Sequence, residues 1–170
     1  SDLLVQMDAD LYTRQMYCLG KYYSYIKGRK KENALIAIET NFDTYPIREL
    51  QRLGYENQYI REKIDDMTGK KEKRFGFKTT KLTRPTIIGQ LIEIIREHTD
   101  LVNDEETINE LLTIIRNEEG RIEAPVGGHD DIMMAMAIAY EARNQIRLID
   151  EIITPEEQMF KEFNIKIEDD

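Results

Sequence analysis

The chain has 170 residues and, at 41% hydrophobic and 34% charged, the composition of one folded domain with a sizeable core. No apolar run approaches the roughly 20 residues that a bilayer-spanning helix needs. A formal net charge of -9 excludes a protein that coats nucleic acid by bulk attraction, while leaving room for an enzyme with a local basic track.

The chain opens on Ser1-Asp2 with no initiating methionine and no signal-peptide pattern, and so reads as an excised piece of something longer. Residues 3–5 are short and apolar, as expected of the end of a strand that begins before Ser1. Between residues 10 and 26 the apolar positions Leu11, Tyr12, Met16, Leu19, Tyr22, Tyr23 and Ile26 recur at threes and fours, which predicts an amphipathic helix. Within it the single cysteine, Cys18, excludes an internal disulfide and suits a reducing compartment; its neighbours Tyr17 and Leu19 predict a core thiol without a catalytic role. A charged connector over 28–33 leads to Ala34-Leu35-Ile36-Ala37-Ile38, a run without alternation that predicts a strand covered on both faces and ending at Glu39. A polar loop carries Asn41 and Asp43, and Pro46 suits the first residue of a helix that stops at Gly54. Residues 58–61 predict another strand. Strand, helix, strand is the order of an α/β domain with a largely parallel sheet.

Residues 63–84 change character. Eight cations (Lys63, Lys70, Lys71, Lys73, Arg74, Lys78, Lys81, Arg84) against Asp65, Asp66 and Glu72 give a local charge of +5. The Thr68-Gly69 turn signal and the run Phe75-Gly76-Phe77 predict a hairpin or extended loop, whose cations and aromatics suit a phosphate backbone as well as a solvated face. Thr83 as N-cap and Pro85 in the first turn predict a helix ending near His98. Residues 107–115 can close as helix or strand, and 121–124 predict a short strand before Pro125. Gly127-Gly128-His129-Asp130-Asp131 then stands before nine apolar or aromatic residues, Ile132 to Tyr140, which predicts a buried helix with acids at its start. Thr154-Pro155 begins a further short helix, and residues 155–170 form a C-terminal helix and acidic tail.

The candidate chemistry lies in acids. Glu39, at the carboxyl end of its strand, is placed where open α/β sheets gather ligands; the alternative is a solvated strand end. Asp130 and Asp131 suit a helix N-terminus, where the dipole favours negative charge, and either is an ordinary cap on the plainer reading. Counting helical phase from the first turn aims Asp131 at the apolar stripe Met134, Ala135 and Ile138, and so more directly at the core than Asp130. An acid-only set suits hard divalent cations, Mg²⁺ or Mn²⁺, of the kind used in phosphodiester displacement. His129 serves either as an accessory donor or as a plain turn residue, and His98 as a helix C-terminal charge. With two histidines and one cysteine a structural zinc site is excluded, and no Walker-type phosphate loop is present.

Taken in order, Asn33-Ala34-Leu35-Ile36-Ala37-Ile38-Glu39-Thr40-Asn41, Arg48-Glu49-Leu50-Gln51-Arg52-Leu53-Gly54-Tyr55, Phe75-Gly76-Phe77-Lys78-Thr79-Thr80, Thr83-Arg84-Pro85 and Gly128-His129-Asp130-Asp131 resemble the nuclease domain of tailed-bacteriophage terminase large subunits. The resemblance spans roughly residues 11–140. It implies one nuclease domain over 1–170 with an RNase H-like fold, a mixed sheet flanked by helices, and two divalent ions (Mg²⁺ or Mn²⁺) held by three acids. Glu39 matches the family's second acid, and Asp131, with Asp130 beside it, the third. The family's first acid lies on an opening strand that is not evident here, and Asp2, Asp8 and Asp10 lack the apolar run that would place them. The implied activity is endonucleolytic cutting of concatemeric viral double-stranded DNA to 3′-hydroxyl and 5′-phosphate ends, in the cytoplasm of a bacterial host. Implied partners are the terminase ATPase domain, the small terminase subunit and the portal protein. Lys70, Lys71, Lys73, Arg74, Lys78, Lys81 and Arg84 are the expected DNA contacts. The alternatives are a non-catalytic DNA-binding or motor-docking module, and a small acidic α/β protein with no nucleic-acid partner.

Overall fold

A computed structural model describes residues 8–27, 30–64 and 71–151. The expected strand end at 3–5, the Thr68-Gly69 turn with Lys70, and the C-terminal helix and tail lie outside the described residues. The fold is mixed α/β with short antiparallel hairpins.

Helix α1 (Ala9–Tyr22) is followed by the strands β1 (Tyr25–Lys27) and β2 (Lys30–Glu32), which pair antiparallel. The predicted helix is therefore shorter than its periodicity suggested, because Tyr25 and Ile26 enter a hairpin. The stripe of α1 that meets the rest of the fold is Thr13, Met16, Tyr17 and Gly20. Cys18 lies off that stripe and is exposed, which corrects the expectation of a core thiol: helical phase outweighs the apolar character of its sequence neighbours.

Segment 34–40 is the middle of the molecule. Its bridges are parallel, Ile36 to Gln58 and Glu39 to Phe77. Asn57 and Phe77 carbonyls accept from the Ile36 and Thr40 N–H groups at 3.0 and 2.8 Å, while the Ile36 and Ile38 carbonyls accept from Tyr59 and Phe77 at 2.8 and 2.7 Å. Both faces are covered, as a run without alternation requires. Ile36 and Ile38 pack with Ile47, Leu50 and Tyr55 beneath α1 and helix α2 (Tyr45–Arg52). Ala37 turns the other way, onto a second cluster built by Phe77, Ile87, Leu91, Met133 and Ala137. Pro46 sits at the start of α2, and Gly54 follows its end with φ 72°, in the left-handed region that glycine adopts without strain.

Strands β3 (Ile60–Ile64) and β4 (Lys71–Phe75) pair antiparallel from Ile60↔Phe75 to Ile64↔Lys71, which resolves the hairpin-or-extended-loop choice for the basic stretch as a hairpin that starts before it, at Ile60. The parallel expectation for residues 58–61 is thus met only at Gln58. Helix α3 (Thr83–Glu97) begins one residue earlier than expected: Thr83 is its first residue and not its cap. The Thr83 hydroxyl accepts from Thr80 N–H at 2.8 Å and donates to the Lys78 carbonyl at 3.0 Å, which fastens the turn before the helix. A short 3₁₀ turn (Thr99–Leu101) leads to helix α4 (Glu105–Thr113), which resolves the helix-or-strand choice over 107–115. Asp104 caps it, accepting from Thr107 N–H at 2.9 Å, and these bonds hold its carboxyl below the usual range. Strands β5 (Ile115–Arg116) and β6 (Ile122–Glu123) pair antiparallel, and helix α5 (Asp131–Glu151) follows. Helices α3 and α5 bury Ile87, Ile88 and Leu91 against Met133, Met134 and Ile138.

Candidate functional site

A cleft of about 970 Å³ opens between α1, segment 34–39 and α5. Glu39, Arg84, Asp130 and Asp131 all line it, together with Asn41 and Thr79. Each comes from a different piece of chain. Glu39 ends the covered segment, which carries two isolated bridges and not the expected strand because its partners pair with it at single residues only; Arg84 stands in the first turn of α3, and the two aspartates open α5. The Asn41 side chain exchanges two bonds with the Thr79 backbone, donating at 2.7 Å and accepting at 2.9 Å, and so ties the loop after Glu39 to the segment after β4. Met134 and Ile138 of α5 and Met16 of α1 give the cleft apolar walls.

One edge of segment 34–40 is open among the described residues. Among the described residues the N–H and C=O groups of Leu35, Ala37 and Glu39 have no backbone partner, whereas those of Ile36 are bonded to the 57–59 segment. Such an edge is a ready template for an added strand.

The two aspartates divide differently from the expectation. Asp131 is 89% exposed at its side chain, with His129 Nδ1 3.8 Å from its Oδ2. Asp130 is 25% exposed and receives the Arg84 guanidinium, Nη2 to Oδ2 at 2.5 Å. The aim of Asp131 toward the core is therefore corrected. Asp130 precedes the helix, so helical phase does not govern its direction, and the turn Gly127-Gly128, with Gly127 at φ 81°, sets it instead. Its carbonyl accepts from Met134 N–H at 2.9 Å, the backbone role of a cap. Its carboxylate is free for Arg84 because Glu110 of α4 satisfies the next donor, accepting from Met133 N–H at 2.6 Å. Nothing in the sequence marked Glu110 as the cap of α5; a distant carboxylate replaced the local one. The role of Arg84 was also missed, although a signal existed: a cation in the first turn of a helix opposes the dipole and needs a partner.

On the hairpin, Lys71 pairs with Glu62 at 3.0 Å and Arg74 with Glu72 at 2.7 Å, on exposed side chains. The bond and charge of Lys71 hold the Glu62 carboxyl below its usual range. Lys73, Lys78 and Lys81 are exposed and make no ion pair with a described residue. Arg61, on β3, donates to Thr40 Oγ1 and to the Gly76 carbonyl, each at 3.0 Å. Burial, and then the Arg74 charge, lower its proton affinity.

The described carboxylates alone do not fit a paired-metal centre. Among the described residues no group of three His, Cys, Asp or Glu side chains is placed to hold an ion, and one oxygen of Asp130 already accepts from a guanidinium. What the arrangement offers is a cleft lined by three carboxylates and two arginines, Arg84 and Arg143, with a neighbouring basic hairpin. Among the described residues no helix is long and apolar enough to cross a membrane. Comparison with models of protein families, with curated proteins and with solved structures found no match.

Proposed function

We propose that the chain is a terminase-type nuclease domain of RNase H-like fold, a DNA endonuclease that uses Mg²⁺ or Mn²⁺ and acts on double-stranded DNA during viral genome packaging. The observation that carries this reading is the meeting of Glu39, Asp130 and Asp131, from distant parts of the chain, on one cleft. Carboxylates gathered on one cleft suit hard cations and phosphoryl chemistry. The three cations on and beside the basic hairpin that make no ion pair with a described residue, Lys73, Lys78 and Lys81, suit a phosphate backbone. A complete ion pair needs a further acid, and the open edge at Leu35, Ala37 and Glu39 has the backbone groups to receive a strand that would bring one. The ATPase domain, small subunit and portal protein are the partners this reading brings with it.

The test is Mn²⁺ uptake by calorimetry together with plasmid nicking, in the wild type and in Glu39→Gln and Asp131→Asn. Uptake and nicking that both fall in the two variants are expected. Nicking that survives both substitutions, or uptake indifferent to Glu39, sinks the reading. The second reading, a non-catalytic DNA-binding or docking module, is favoured by one observation, the engagement of Asp130 by Arg84. On it, DNA binds and neither metal uptake nor nicking is found.

A further inference from the structure

We propose that Phe42 and Leu82 form an apolar wedge at the mouth of the cleft, which enters a base step of duplex DNA and unstacks it. The proposal rests on the DNA reading above and deepens it, from contact with the phosphate backbone to deformation of the duplex. Phe42 is 96% exposed and Leu82 81%. Phe42 also lines the cleft beside Asn41 and Thr79, so a side chain almost wholly in water stands at its mouth. Single apolar side chains on a surface are common and need no function. The setting of these two is what distinguishes them.

The loops that carry them are fastened to one another. Phe42 directly follows Asn41, whose side chain is pinned to the Thr79 backbone by bonds of 2.7 and 2.9 Å, and precedes Asp43, which accepts from Tyr45 N–H at 2.8 Å. The turn that carries Leu82 is closed reciprocally. Thr83 Oγ1 accepts from Thr80 N–H at 2.8 Å, while Thr80 Oγ1 accepts from the Thr83 and Leu82 N–H groups at 3.0 and 3.3 Å. Both apolar tips therefore stand on backbone that is ordered before a partner arrives, which lowers the entropy lost on insertion. The same turn carries Lys78 and Lys81, exposed and without an ion pair to a described residue. That charge selects the partner. An apolar protein surface would leave two ammonium groups without counter-charge, whereas a duplex presents phosphates beside every base step, and phenylalanine and leucine are among the side chains that open such steps.

The test uses a short duplex with a fluorescent adenine analogue at a flexible TA step and a dye at each end, titrated with the wild-type chain and with the double variant Phe42→Ala, Leu82→Ala. Both side chains are exposed, so neither substitution threatens the fold, and Leu112→Ala on α4, also exposed at 79%, serves as the control. In wild type and control the analogue should brighten as it unstacks, and energy transfer between the ends should rise as the duplex kinks. The double variant should lose both signals and bind about tenfold more weakly, with the salt slope unchanged because no phosphate contact is removed. Lys78→Gln with Lys81→Gln should do the opposite, flattening the slope while the brightening at saturation remains. Binding by the wild type without brightening, or brightening that survives in the double variant, overturns this proposal alone. Self-association of the free chain that the double variant abolishes assigns the two side chains to a second copy and likewise overturns it. Absence of duplex binding by the wild type overturns it together with the DNA reading.

Discussion

Tyr55 is 1% exposed, and its hydroxyl donates to the Ala34 carbonyl at 2.5 Å, at the start of the central segment. Its ring also fixes how closely α1 approaches: a Cβ on Gly20 would lie 2.1 Å from the Tyr55 oxygen, so glycine is required there. Burial pushes the Tyr55 hydroxyl up to about 12 from an ordinary value of 10.0. The folded chain then holds this proton where an unfolded chain releases it. The contribution is complete below pH 10.0 and is lost as the pH rises toward about 12. Thermal melts across that range should show a steeper loss of stability in wild type than in Tyr55→Phe, and the variant should be about 1 kcal/mol less stable at neutral pH. Parallel pH profiles for the two proteins would refute this. The acids show the same dependence on single contacts. Types and positions of Glu39, Asp130 and Asp131 were legible in the sequence, but not which aspartate is enclosed, because one arginine and one distant glutamate decide it.

Helices were readable from periodicity and punctuation: α2 between Pro46 and Gly54, α3 up to His98, and α5 from the acids onward. Strands were readable by composition and not by pairing. The run at 34–38 was recognisable as covered on both faces, yet its neighbours in the sheet depend on hydrogen bonds made by residues 57–59 and 76–77. Gly76 illustrates why: with φ 80° and a would-be Cβ 2.7 Å from the Ile38 carbonyl, it permits a close backbone approach that no pattern of hydrophobicity encodes. At this scale the open edge carries a prediction. In hydrogen exchange the amides of Leu35, Ala37 and Glu39 should exchange at least about tenfold faster than those of Ile36 and Phe77, whose partners are in place. Equal protection along 35–39 would mean that the edge is occupied and that the cleft is closed by a strand.

For the molecule as a whole, a net charge of -9 and a basic hairpin set opposite tendencies, and salt tells them apart. If Lys73, Lys78 and Lys81 contact phosphates, replacing all three by glutamate should weaken duplex DNA binding and flatten the plot of log affinity against log salt by up to about 3. Fluorescence anisotropy across a salt series measures this, and a slope unchanged by the triple substitution rules out the hairpin as the contact. Lys71 and Arg74, already paired with Glu62 and Glu72, should matter less.

The amino-acid order by itself determined the mixed α/β class, most helix bounds, the concentration of cations over 63–84 and the set of acids from which a cleft is made, because these follow from local propensity and from patterns spanning a few residues. Only the tertiary structure decided that Asp130 is enclosed and paired with Arg84 while Asp131 is exposed, and that one edge of the central segment is unpaired among the described residues. Those outcomes depend on which distant donor reaches a carboxylate first and on which backbone lies alongside another, distances set by packing across the whole chain and carried by no single stretch of it.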